Sequence, residues 1–193
     1  MSASFNTEED IMKTLGGMIS FLDTSSISYN PRVTHHDECN MCTGHPRRKI
    51  FPWRISVKSE TIVETDNEWM EMYHGTRNES MESILRNGID PMKCEDSSFG
   101  HGIYFTPCPN LAKTFSNNGL ALCCKINTRS IRWFDTYAHY ATQNITREQE
   151  QDPNYQYTVH ALIDRTEFIV FQPQNVVFTG IVRTRQYESP VKK

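Results

Sequence analysis

Apolar positions at helical spacing define the first segment of the chain. Between residues 7 and 22 they recur every three or four positions behind an acidic first turn, at Ile11, Leu15, Met18 and Leu22. This spacing predicts an amphipathic helix that the Gly16-Gly17 pair interrupts. From residue 24 to residue 48 the periodicity stops and Ser, Asn, His, Cys and Pro prevail, which predicts a loop.

Beyond residue 48, short β-type runs alternate with helical patterns. Stretches rich in β-branched and aromatic residues span 50–57, 69–73, 102–106, 120–126, 155–163, 167–172 and 176–183. One helix is predicted from Asn78, a good N-cap, to a stop at Gly88. Another is predicted to begin at Pro109 and to end in the turn 117–119. This order predicts an α+β domain with a largely antiparallel or mixed sheet.

The length of the chain and the change of pattern near residue 48 suggest a domain organisation. A chain of 193 residues is long enough for one domain with its own core. We expect residues 1–48 to form an N-terminal extension that the fold does not require. Residues 49–187 would then form the domain and residues 188–193 a tail. No stretch approaches the roughly 18 apolar residues that a membrane span requires.

The charge of the chain is close to balanced. There are 20 Lys and Arg residues against 23 Asp and Glu residues, for a net charge of −3. No block of like charges stands out, so strong nonspecific binding to nucleic acid is not expected. The N-terminus carries Glu8, Glu9 and Asp10 and lacks the basic segment of a secretory signal. We therefore expect a cytoplasmic or nuclear protein with mostly reduced cysteines.

Several motifs follow one another in the order of a known enzyme family. They are Tyr73-His74-Gly75-Thr76-Arg77, Ile84-Leu85-Arg86-Asn87-Gly88-Ile89, Phe99-Gly100-His101-Gly102-Ile103-Tyr104-Phe105 and Thr166-Glu167-Phe168-Ile169-Val170-Phe171. Together they resemble the catalytic core of the poly(ADP-ribose) polymerase class of ADP-ribosyltransferases, with its His-Tyr-Glu set. The resemblance covers residues 50–183. It implies the ADP-ribosyltransferase fold, in which two mostly antiparallel or mixed β-sheets pack together with short helices.

The resemblance also implies an enzyme that consumes NAD as co-substrate. His74 would hydrogen-bond the adenine-side ribose, and the backbone of Gly75 would pair with the nicotinamide carboxamide. Tyr104 and Phe115 would stack on the nicotinamide ring. Glu167 would accept a hydrogen bond from the other ribose and stabilise an oxocarbenium-like centre. The implied catalytic residues are His74, Tyr104 and Glu167, and the implied cofactor-binding residues are His74, Gly75, Thr76, Tyr104 and Phe115.

Two positions depart from the family pattern. Ala112 stands where the family usually has a Ser that hydrogen-bonds the carboxamide, and His101 replaces the Lys common between the two glycines. We expect ADP-ribose to be transferred to a protein acceptor, the enzyme itself included, in preference to nucleic acid, and as single units in preference to polymer. Two alternatives stay open. One is a weakly active NAD- or ADP-ribose-binding module of the same fold, and the other is an RNA 2′-phosphotransferase-like enzyme.

A second cluster of chemistry-bearing residues lies in the predicted loop. It consists of His35, His36, Cys39, Cys42 and His45. Cys39-x2-Cys42 is a usual zinc half-site, which His45 and either His35 or His36 could complete. Structural zinc sites normally draw their two halves from separated segments, whereas these ligands lie within eleven residues. A solvated loop without metal is therefore the favoured interpretation.

Overall fold

The computed structural model describes residues 7–29, 32–34, 48–50, 53–58, 68–94, 100–146, 149–150, 152 and 154–183. Its helices are α1 (Glu8–Leu15), α2 (Asn78–Asn87), α3 (Pro109–Thr114) and α4 (Tyr137–Ala141). Its strands are β1 (Leu22–Tyr29), β2 (Arg32–Thr34), β3 (Arg48–Ile50), β4 (Trp53–Val57), β5 (Trp69–His74), β6 (Ile103–Phe105), β7 (Leu120–Asn127), β8 (Ile131–Phe134), β9 (Val159–Leu162), β10 (Phe168–Val170) and β11 (Val176–Arg183). Short 3₁₀ segments span Gly16–Phe21, Pro91–Lys93 and Pro173–Asn175.

The strands form two main sheets that meet at one junction. A five-stranded sheet has the order β1-β4-β11-β7-β5 and is antiparallel throughout. A four-stranded sheet has the order β6-β10-β9-β8 and contains one parallel pair, β8 with β9. Tyr73 in β5 and Thr106 just after β6 exchange backbone hydrogen bonds of 2.8 and 3.0 Å. The predicted α+β class, with two mostly antiparallel or mixed sheets, is confirmed.

One apolar core unites the two sheets. The five-stranded sheet contributes side chains such as Ile55, Leu122 and Ile181, and the four-stranded sheet contributes Phe105, Val159 and Phe168. Helix α2 covers this core with Met81, which is fully buried. Because both sheets share the core, the junction between β5 and β6 is held in a fixed geometry, and the candidate site lies at that junction.

The segment before residue 30 belongs to the same core. Ile11, Leu15 and Met18 are buried in it, and β1 pairs with β4 at the edge of the five-stranded sheet. The prediction of a loop from residue 24 to residue 48 is therefore wrong for residues 24–29, and also for residues 32–34, which form β2. The domain boundary after residue 48 stays a prediction. These contacts nevertheless lead us to expect that the fold requires part of the segment before it.

Two of the predicted helix ends differ from those observed, namely the start of α2 and the end of α3. The helix predicted from residue 7 to residue 22 is interrupted at Gly16 as expected, and it continues as 3₁₀ from Gly16, whose φ is +51°. Arg77 occupies the N-cap position of α2, and Asn78, the predicted N-cap, is already helical. Helix α3 begins at Pro109 as predicted, but it ends at Thr114, before the predicted turn. Strand β8 and helix α4 were not predicted. Within the described ranges, no helix is long and apolar enough to cross a membrane.

Candidate active site

A cavity of about 320 Å³ opens at the junction of the two sheets. Its walls come from the ends of β5 and β6, from α3, from the start of α4 and from the residue before β10. The lining residues are Tyr73, His74, Gly75, Tyr104, Phe105, Thr106, Leu111, Ala112, Phe115, Tyr137 and Glu167. Segments that are far apart in the chain are therefore brought to one place by the pairing of β5, β6 and β10.

His74, the last residue of β5, is oriented by the neighbouring sheet. Its Nδ1 lies 2.8 Å from the backbone carbonyl oxygen of Tyr104. A carbonyl only accepts, so Nδ1 carries the proton and Nε2 is left as an acceptor. Burial lowers the pKa of His74, and the hydrogen bond to Tyr104 offsets this only in part. The imidazole is therefore neutral near neutral pH and presents one acceptor nitrogen.

Tyr104 is fixed at its backbone and at its hydroxyl. Its main chain pairs with Ile169 in the four-stranded sheet, and its hydroxyl donates a 2.9 Å hydrogen bond to the carbonyl of Gly100. Gly100 has a φ of +92°, and a Cβ there would collide with the hydroxyl of Tyr140. Glycine at this position therefore allows the turn that holds the Tyr104 ring against the cavity.

A buried polar network lies behind that turn. Glu150 is 1% exposed, and its carboxylate accepts hydrogen bonds from the backbone N–H of His101, at 3.3 Å, and from the Tyr140 hydroxyl. Burial raises the pKa of Glu150. His160 is fully buried, and a 2.8 Å hydrogen bond joins its Nε2 to the Tyr155 hydroxyl. These bonds tie the Gly100 turn to α4, and His160 in β9 lies next to them, with Nδ1 3.7 Å from Oε1 of Glu150.

Gly75 has a packing role that the sequence did not reveal. A Cβ at this position would overlap the backbone carbonyl of Ala112 in α3. Ala112 is itself buried with Tyr73 and Cys123 in a small apolar cluster. Glycine is thus required for the close approach of α3 to β5, and this approach brings Ala112 and Phe115 to the cavity wall.

Glu167 is placed by a tight turn between β9 and β10. Arg165 in this turn has a φ of +56°, and the Asp164 carboxylate accepts from the backbone and the hydroxyl of Thr166 at 3.0 and 2.7 Å. The hydroxyl of Tyr137 then donates a 2.6 Å hydrogen bond to Oε2 of Glu167. Both side chains line the cavity, so a phenol and a carboxylate face the same space.

A second, more polar cavity of about 690 Å³ adjoins the first. The two share His74, Gly75, Tyr104 and Phe115. The second is also lined by Thr76, by the first turns of α2 and by the segment after it, including the cations Arg77 and Lys93. The two cavities therefore form one continuous groove with an aromatic end and a polar end.

The groove contains the site residues predicted from the sequence, and it adds one. His74, Gly75, Tyr104, Phe115 and Glu167 line the first cavity and Thr76 the second. Tyr137 was missed because a single Tyr in an unpredicted five-residue helix carries no sequence signal. His35, His36, Cys39, Cys42 and His45 lie outside the described residues. In the part of the chain that the structure describes, no group of His, Cys, Asp or Glu is arranged to hold a metal ion.

The fold and the groove agree with the expectation from the sequence. Two mostly antiparallel or mixed sheets share a core, with a groove at their junction. Residues 53–131 match the family model of the poly(ADP-ribose) polymerase catalytic domain. This part of the chain is therefore similar to the poly(ADP-ribose) polymerase catalytic domain, a family of NAD-dependent ADP-ribosyltransferases. The matched stretch includes His74, Tyr104 and Phe115 and ends before Glu167.

A curated relative supports the same class. The chain is similar to the poly(ADP-ribose) polymerase tankyrase of Caenorhabditis elegans, with 31% identity over 127 residues. The similarity covers 61% of this chain and 5% of the length of that relative. Most of the relative's length therefore lies outside the comparison.

Proposed function

We propose that this domain binds NAD, releases nicotinamide and transfers the ADP-ribose unit to an acceptor on a protein. The observation that carries the proposal is the convergence of His74, Tyr104 and Glu167 on one cavity from three separate elements. A stacking aromatic, a ribose-binding imidazole and a carboxylate are the groups that cleavage of a glycosidic bond to a cationic ring requires.

The groove supports binding of an extended dinucleotide. Its two cavities, of about 320 and 690 Å³, are each within the usual size of ligand sites. The nicotinamide ring would stack on Tyr104 and on Phe115, which is 62% exposed and so has a free face. Arg77 and Lys93 in the second cavity, which Glu79 and Asp90 also line, would pair with the pyrophosphate.

The chemistry proposed for Glu167 follows from its place in the first cavity. As nicotinamide departs, positive charge develops at the ribose carbon to which it was bound. A carboxylate that accepts a hydrogen bond from this ribose stabilises that charge through a preorganised contact. His74, with Nε2 as acceptor, would hold a hydroxyl of the adenine-side ribose. Neither role requires the imidazole to be charged.

We further propose that the acceptor is a protein, the enzyme itself included, and that single units are added. The segment between Gly88 and Gly100 is short compared with the corresponding loop of large polymerases, and His101 replaces the Lys that is common between the two glycines. These two differences alter the region that would grip a growing polymer. A cytoplasmic or nuclear location belongs to the same proposal.

A non-catalytic module that binds NAD is the second candidate, and Ala112 favours it. Ala112 lines the cavity but has no hydroxyl to donate to a carboxamide. The loss of one such hydrogen bond costs about 0.5 to 1.5 kcal/mol of binding free energy. This is a weakening and not an abolition of binding, so we place the enzyme first.

Labelled NAD distinguishes these candidates. The purified protein should release nicotinamide and acquire label in a sharp band on a gel, and a Glu167→Gln variant should do neither at a comparable rate. Binding of NAD without nicotinamide release would favour the non-catalytic module. A high-mass smear removed by a poly(ADP-ribose) glycohydrolase would show polymer formation and contradict single-unit transfer.

A further inference from the structure

Helix α4 places one tyrosine at the wall of the first cavity and another in the buried network. Thr136 caps the helix, since its hydroxyl accepts a 3.1 Å hydrogen bond from the N–H of His139. Tyr140 is 9% exposed and packs edge-on against Phe134. Its hydroxyl also donates to the buried Glu150. A five-residue helix is thus anchored on its inner side, which fixes the position of Tyr137 on its outer side.

The hydroxyl of Tyr137 has a defined partner in the cavity. It donates to Oε2 of Glu167 at 2.6 Å, a short distance typical of a bond to a charged acceptor. Burial raises the pKa of Tyr137, and the hydrogen bond to Glu167 raises it further. The phenol therefore keeps its proton and acts as a donor. This bond occupies Oε2 and leaves Oε1 for other partners.

We propose that Tyr137 is a positioning residue that holds Oε2 of Glu167 so that Oε1 meets the ribose hydroxyl of bound NAD. The inference rests on the proposed function. A Glu side chain loses conformational entropy when it is ordered. If a neighbouring residue already holds the carboxylate, this entropy is lost on folding and not on binding of the substrate. The benefit is then greatest in the transition state, where the carboxylate must face the developing charge.

Tyr137→Phe removes the hydroxyl alone, because it keeps the ring that lines the cavity. Since Tyr137 is 40% exposed, the substitution should leave the fold intact, which circular dichroism and a thermal midpoint would verify. Tyr29→Phe is the matched control. Tyr29 is 48% exposed and lies in β1, at the opposite edge of the five-stranded sheet from β5, which carries His74.

The test is steady-state nicotinamide release from NAD by wild type, Tyr137→Phe, Glu167→Gln, the double variant and Tyr29→Phe. Tyr137→Phe should lower kcat by about 10-fold and change KM by less than about twofold, as expected when a group acts mainly in the transition state. In the Glu167→Gln background, the same substitution should change kcat by less than about twofold, because the carboxylate it positions is gone. Tyr29→Phe should match wild type.

The outcomes separate this inference from the proposed function. Wild-type release of nicotinamide, with an unchanged or higher kcat in Tyr137→Phe, would overturn the positioning role and leave the proposed function standing. An equal loss of kcat with and without Glu167 would also overturn it, because Tyr137 would then act through another group. No nicotinamide release by the wild type would refute both.

Discussion

His74 and Tyr104 are joined by a 2.8 Å hydrogen bond between an imidazole nitrogen of the first and the backbone carbonyl of the second. The bond crosses the junction of the two sheets, so a side chain of one sheet is oriented by the main chain of the other. The direction in which the acceptor nitrogen Nε2 of His74 points therefore depends on the position of β6. That position depends in turn on the pairing of β6 with β10 and on the Gly100 turn.

Tyr104→Ala should weaken binding of a nicotinamide mimic by about 10-fold, because the loss of a stacking face costs roughly 1 to 2 kcal/mol. Tyr104→Phe keeps the ring and loses the hydrogen bond to Gly100, so we expect a loss of about threefold, the lower part of the range for one hydrogen bond. Isothermal titration calorimetry with the mimic measures both. Equal losses from the two substitutions would contradict the stacking role.

Glu167→Gln keeps the size of the side chain and removes its charge. We expect kcat for nicotinamide release to fall by about 10²- to 10³-fold, the usual effect of removing one preorganised electrostatic partner. Affinity for the nicotinamide mimic should change by less than about twofold, since the carboxylate acts on the ribose. A variant that releases nicotinamide as fast as wild type would remove Glu167 from the chemistry.

Leu15→Ala tests whether the N-terminal segment is part of the fold. Leu15 is 1% exposed, and truncation of a buried Leu to Ala costs about 2 to 5 kcal/mol in the free energy of unfolding. Lys13→Ala, on the exposed side of the same helix, should stay within about 0.5 kcal/mol of wild type. Urea unfolding measures both. A truncated chain beginning at residue 49 that unfolds at the wild-type urea concentration would show that the segment is dispensable.

His160 should make stability depend on pH. Burial, with a smaller contribution from Arg132, lowers its pKa from 6.5 to about 3. Below pH 6.5 the unfolded chain therefore binds a proton that the folded chain rejects, and the contribution of His160 to stability is lost as the pH falls towards 3. The raised pKa of Glu150 acts in the opposite direction, so wild type has to be compared with a variant that keeps Glu150.

His160→Gln provides that comparison. Between pH 7 and pH 5, the unfolding free energy of wild type should fall relative to that of His160→Gln by about 2 kcal/mol, from proton linkage to one group with an unfolded pKa near 6.5. Urea unfolding at several pH values gives the difference directly. Curves for the two proteins that run parallel over this range would mean that His160 accepts a proton in the folded state.

The sequence alone determined the class of fold and most of the groove. Helix α2 and strands β5, β7 and β11 were predicted because their apolar periodicity and end signals are local. His74, Tyr104 and Glu167 could be proposed because each lies in a short motif whose order along the chain is specific. These signals need no knowledge of which elements touch.

Tertiary structure alone decided which groups face one another. Strand β1 carries a weak pattern, Leu22–Tyr29 with few apolar residues, and is a strand because β4 offers its edge for pairing. Residue 75 has to be glycine because the carbonyl of Ala112, which is distant in the chain, occupies the space of a Cβ. Tyr137 meets Glu167 because α4 is anchored through Tyr140. The residues in these contacts are far apart in the sequence, so no local pattern of apolar and polar positions can reveal them. They meet because the two sheets pack on one core.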